Sequence, residues 1–352
     1  MRDKLGCSSV QLMLTLFVCG SGIIALQTFY SNSELSFLSV LLCLVIAFAV
    51  MYVLFLPSVV IKKRTSLDFI SFATNKTPSA IIFVSAFYAL YFVYTASYFL
   101  LKYTDMISQK INPNVELVTL TVLFLSACVY GAYKGTQAIT RCGIFIFVLC
   151  LVTFALIFGG NVSNLNFENI SFNFSGSTQD FISTLSYFAT MAVVPVIFAF
   201  LCGNIKKFKS KHFLLLTIFL LVLAIIAEFF IFYVLAYFGK QQSFQMFTLS
   251  KTAQIGVVNG IDSFFLAWTT SSMFLIITAM LICINKSLGK SKNLALNIAF
   301  AIIILVMNIC INQYNSIKEI ILNPLVFSIF TIISAVILPC GYLVFGGKKK
   351  YD

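Results

Sequence analysis

Glu228 is the one charged residue in the apolar run LLLTIFLLVLAIIAEFFIFYVLAYF, residues 214–238. An ionised side chain at the centre of a membrane helix costs roughly 2.5 to 3.5 kcal/mol, so such a residue faces a cavity, a partner or a proton path. It can equally be carried protonated against a neighbouring helix. Spacing alone leaves both open. Three other groups could do chemistry. Cys19-Gly20-Ser21-Gly22 sets two glycines near mid-span, where bare backbone amides could approach a carboxylate or where small residues could let helices close together. Tyr88, Tyr91, Tyr94 and Tyr98 share one helical face, suited to a polar ligand, to water or to packing. Thr269, Thr270, Ser271 and Ser272 offer hydroxyls to an ion or an amino group, with Met273 beside Thr269 and Ser272 on one face. Such hydroxyls also bond back to their own helix. Glu228 with Ser271 and Ser272 therefore forms the expected ion or proton set.

The elements that must position these residues are membrane helices. Of 352 residues, 60% are hydrophobic and 10% charged, and mean hydropathy is +1.01. A crossing needs about 20 apolar residues. Ten segments qualify: 9–30, 35–61, 78–101, 115–133, 143–159, 181–202, 213–238, 261–284, 294–311 and 323–346. Period-two strands are absent, which excludes a barrel. Lysines and arginines sort almost entirely to one side, leaving Lys102, Lys110, Lys240, Lys251 and Lys318 on the other, and this puts both termini in the cytoplasm. The net charge of +12 is then a fringe facing anionic lipid and needs no nucleic acid. The ten cysteines contain no C-x-x-C pair, so neither a metal site nor a disulfide framework is expected. Paired carboxylates, a nucleophile with its base and a phosphate loop are all missing, so no catalytic residue or cofactor is expected and the chain does not read as an enzyme. The sequons at Asn75, Asn161, Asn169 and Asn173 carry no inference without a secretory route.

The longest polar connection, residues 160–180, has no basic residue and divides the chain into two sets of five spans, 9–159 and 181–346. Five is odd, so the halves enter the membrane from opposite sides, the arrangement of an inverted repeat. Such folds bind substrate where the first helix of each half is interrupted. Here the expected breaks are Gly20 to Gly22 in span one and SYFATMAVVP in span six, where Pro195 removes a helical bond close to Thr190. Residues 240–260 mix apolar and polar side chains and predict a short helix over the outer mouth.

The segments SSVQLMLTLFVCGSGIIAL, YKGTQAITRCGIFIFVL and FTLSKTAQIGVVNGIDSFFLAWTTSSMFLIITAMLICINKSLG, with Gly135, Arg141, Asp262 and Trp268 as anchors, resemble the B subunits of spore germinant receptors in the amino acid/polyamine/organocation transporter superfamily. The similarity runs from about Val10 to Gly346. It implies an all-α, LeuT-like fold of ten transmembrane helices in a 5+5 inverted repeat. It also implies a small germinant such as an amino acid bound near mid-membrane, and partnership with an A-type membrane subunit and a C-type lipoprotein in the inner membrane of a spore, or the cell membrane, of a spore-forming bacterium. Ligand contacts are then expected from Gly20, Ser21, Gly22, Tyr91, Tyr94, Thr190, Thr269 and Met273. Some proton-coupled relatives carry a lysine in span five, and the segment after Arg141 has none. That favours sensing over the alternative, a secondary active amino acid transporter.

Overall fold

The computed structural model describes residues 7–26, 35–76, 81–111, 113–114, 116–169, 174–205, 208–235, 243–256, 258–290 and 293–345. Among the described residues, ten helices are long and apolar enough to cross a membrane: Ser9–Leu26, Phe37–Thr65, Ile81–Lys110, Leu117–Lys134, Thr136–Asn164, Thr178–Leu201, Lys211–Leu235, Asp262–Ser287, Leu294–Gln313 and Pro324–Val344. They are spans one to ten below. Residues 27–30 of the first expected segment lie outside the described residues. Span three runs nine residues past the expected end at residue 101, because Lys102 and the polar residues after it interrupt hydropathy but not helix formation.

Local chemistry sets the ends. Ser36 and Asn293 accept from the backbone N–H of Ser39 and Leu296, capping spans two and nine. Ser177 and Asp180 close a reciprocal capping box ahead of span six, and Asn323 caps span ten with Pro324 in its first turn. Between spans four and five the chain turns at Gly135 with φ of 87°, a left-handed value that favours glycine.

Packing relates the two halves. Span one lies on spans five and seven, and span six on spans ten and two; spans two and seven, three and eight, and four and nine also touch. Exchanging each span for the one five places along returns the same set. This is the pattern of an inverted five-plus-five repeat.

The two leading spans differ. Span six is interrupted by a 3₁₀ turn, Thr190–Ala192, because Pro195 has no N–H to donate to the carbonyl of Met191. Span one is helical without interruption from Ser9 to Leu26, which corrects the expected break there. Its glycines serve close packing. A Cβ on Gly20 would stand 2.7 Å from Leu220 Cδ1, and one on Gly22 would stand 2.6 Å from Ser272 Cβ. Two further irregularities are π segments, Ile231–Leu235 in span seven and Ile333–Ile337 in span ten.

On the face that carries most lysines, called the basic face here, four elements meet. Lys62 at the end of span two donates to Ser66 O at 2.6 Å and to Gly203 O at 3.2 Å. Lys286 at the end of span eight donates to Phe200 O at 2.8 Å and lies 3.6 Å from Asp68 Oδ2. Asp68 also accepts from Ser71 N at 2.9 Å, starting the short helix Phe69–Lys76. Cys7, ahead of span one, pairs in a parallel bridge with Ile205, beyond span six.

On the opposite, outer face the expected short helix is present at Gln245–Thr252, followed by a hairpin of β1 (Gln254–Ile255) and β2 (Val258–Asn259). Asn161 pins it. The fully buried amide donates to Ile157 O at 2.8 Å and Leu249 O at 2.9 Å, and accepts from Thr252 Oγ1 at 2.9 Å. Asn161→Ala leaves two carbonyls and one hydroxyl without these partners and is expected to cost about 2 to 3 kcal/mol. Thermal unfolding of the purified chain in micelles measures it, and a melting temperature within a degree of the parent contradicts the assignment.

Candidate functional site

The interruption in span six brings Tyr187 and Thr190 to a narrow hollow whose other walls are Ile23 and Leu26 of span one and Tyr98, Phe99 and Lys102 of span three. Its volume is about 10 Å³, room for one water. The site is pinched shut. Thr190 donates back to Tyr187 O at 2.7 Å, and the Tyr98 ring lies on Phe327 of span ten with centroids 4.2 Å apart. Lys102 follows Tyr98 by four residues, one helical turn, and so extends the tyrosine face toward the outer end of the span. Among the described residues it makes no hydrogen bond and no ion pair. Asp105, one turn further, is taken by Lys318 Nζ at 2.7 Å.

The outer cover joins this end of span three as well. Ser243 Oγ donates to Gln109 Oε1 at 3.0 Å, and Lys251 Nζ to Lys110 O at 3.4 Å. A larger groove of about 280 Å³ lies between spans one, five and seven, lined by residues such as Phe17, Phe147, Leu216 and Phe219. With no polar side chain in its wall, it can hold an apolar group but cannot orient a polar one.

A family model described as "Spore germination protein" matches residues 4–317, from before span one to the short helix that precedes span ten. The chain belongs to the spore germination protein family. Among solved structures, a Na⁺-coupled sialic acid symporter in a substrate-bound, outward-open state is similar at 15% identity and a TM-score of 0.40, over 94% of this chain and 73% of that one. No curated protein matches.

Of the residues expected to touch ligand in this spore germination protein, Thr190 alone lines the hollow. Tyr91 and Tyr94 are on the expected face, but that face meets span ten and the short helix Asn315–Ile321 before it. The Tyr91 hydroxyl donates to Thr331 Oγ1 at 3.2 Å, Tyr94 to Ile321 O at 3.1 Å, and Tyr88 to Ser334 O, within the second π segment, at 2.7 Å. Ser21 donates to Val18 O at 2.9 Å and touches Cys150 Sγ at 3.5 Å, toward span five. Gly20 and Gly22 abut spans seven and eight, and Met273 is buried with its Cε against Gly22.

The hydroxyl run is mostly spoken for. Thr269 bonds to Phe265 O at 2.8 Å, Ser271 to Ala267 O at 2.7 Å, and Thr270 pairs with Tyr103 at 2.8 Å. Ser272 is fully buried, with no hydrogen-bond partner for its Oγ, beside Gly22. Glu228 is 1% exposed on span seven, about 10 Å short of that span's outer end at 1.5 Å per residue. Neither it nor Ser271 nor Ser272 lines the hollow. Sequence reasoning put Tyr98 in the tyrosine face but not among the ligand contacts, and missed Lys102 as a wall residue. The available signal was the lysine continuing a polar helical stripe at a spacing of four.

Proposed function

We propose that this membrane-embedded germination protein is the B-type subunit of a germinant receptor. In this reading it binds a small germinant, an amino acid by preference, between spans one, three and six, and passes the bound state to an A-type membrane subunit and a C-type lipoprotein in the spore inner membrane. The observation that supports it most is the 3₁₀ turn at Thr190–Ala192, which interrupts span six beside a hollow with both apolar and polar walls. A 3₁₀ turn inside a longer helix gives the span a point to bend. A hollow too small for an amino acid means that ligand binding requires the walls to separate, and the free energy difference between shut and open forms is what a ligand can bias.

The test uses spores carrying Tyr98→Ala or Thr190→Val. At unchanged membrane levels of the chain, the amino acid dose-response of germination is expected to move at least about tenfold to higher concentration. An unchanged response in both variants removes the reading. Gradient-driven accumulation of amino acid by the purified chain in liposomes would instead mark it as a carrier.

A further inference from the structure

Lys102 is the single cation in the wall of the hollow, and no described residue accepts a hydrogen bond from it. The charged groups whose fields reach it are Asp105 and Lys318. These two already satisfy each other at 2.7 Å, with side chains only 14% and 24% exposed. Two ammonium groups therefore stand against one carboxylate in a partly desolvated setting. An ammonium removed from water without a counter-charge is costly, and an anion arriving beside it recovers that cost. Ile23, Leu26 and Phe99 in the same wall offer only hydrocarbon.

We infer that Lys102 binds the carboxylate of the ligand, so that a small amino acid or similar acid lies with its anionic end toward the outer part of span three and its side chain toward span one. This rests on the reading of the hollow as the germinant site and adds to it the residue that fixes orientation and selects for negative charge. Span one offers no competing anion site at Cys19–Gly22, because its backbone stays helical through that stretch and the N–H groups remain engaged.

The test is thermal unfolding of the full chain in lipid nanodiscs with each of the twenty L-amino acids and, in parallel, the corresponding amino acid amides, which lack the negative charge. For the parent chain at least one acid is expected to raise the melting temperature in a saturable way while its amide does not. Lys102→Met, which keeps the stem, should weaken that acid about tenfold or more and abolish the preference over the amide. Lys102→Arg should retain most of the affinity, which controls for a variant that merely folds poorly. An acid that binds the parent and Lys102→Met equally well overturns the role of Lys102 and leaves the hollow as the germinant site. No response of the parent to any amino acid overturns the amino acid reading and this inference with it.

Discussion

Asp68→Ala is expected to destabilise the chain by about 3 kcal/mol and to open the basic face. Three losses add. Removing the carboxylate takes away the N-terminal bond to Ser71, and losing such a cap costs roughly 0.5 to 2 kcal/mol. It leaves Lys286, 17% exposed, without its counter-charge, for which about 1 to 3 kcal/mol is typical. It also leaves Lys62 and Lys286 at the same junction with no carboxylate between them. Full burial would make the sum larger, and the partial exposure of this pair trims it.

The natural reporter is Cys202, just past span six at the same junction, whose thiol burial pushes up to about 12. A thiol raised that far holds almost no thiolate at neutral pH and reacts slowly. Opening returns it toward an ordinary thiol, so labelling by a maleimide should accelerate at least about tenfold in the variant. Cys7, also raised by burial, should follow. Unchanged melting and unchanged labelling together would mean that Asp68 does not hold this end shut.

Gly22→Leu should be comparably damaging, by about 3 to 4 kcal/mol. The first carbon alone would sit 2.6 Å from Ser272 Cβ and 3.1 Å from Met273 Cε, so spans one and eight must separate before a leucine fits. Overpacking typically costs about 1 to 3 kcal/mol, and here the obstacle lies next to a helix backbone with little room to yield. Ser272→Gly removes the atom that is struck. Combined with Gly22→Ala it should recover at least about 1 kcal/mol relative to the sum of the single changes. Melting temperatures of the two singles and the double measure the coupling, and strict additivity would show that the two residues do not meet.

These cases show what spacing can and cannot carry. The ten crossings were legible because each is a long apolar run, and the span-six turn because Pro195 cannot make the bond that a continuous helix needs. The outer helix at Gln245–Thr252 was legible from its mixture of apolar and polar residues. Gly20 and Gly22 misled because glycine serves equally to unwind a helix and to let two helices touch, and only the positions of Leu220 and Ser272 decide between them. The tyrosine stripe was correctly placed on one face. Its period does not say what the face meets: span ten, more than 200 residues away, takes the hydroxyls of Tyr88 and Tyr91, and the short helix before it takes that of Tyr94. Lys102 was hidden by its own charge, which made it look like the first residue after a membrane helix that in fact continues to Lys110.

The stitch between Cys7 and Ile205 has a mechanical consequence. It fastens the entrance of the first bundle to the exit of the second bundle's leading helix, so neither can rock without dragging the other. A tilt begun at the Thr190 joint would therefore reach the basic face as a tug on Cys7, at the foot of span one.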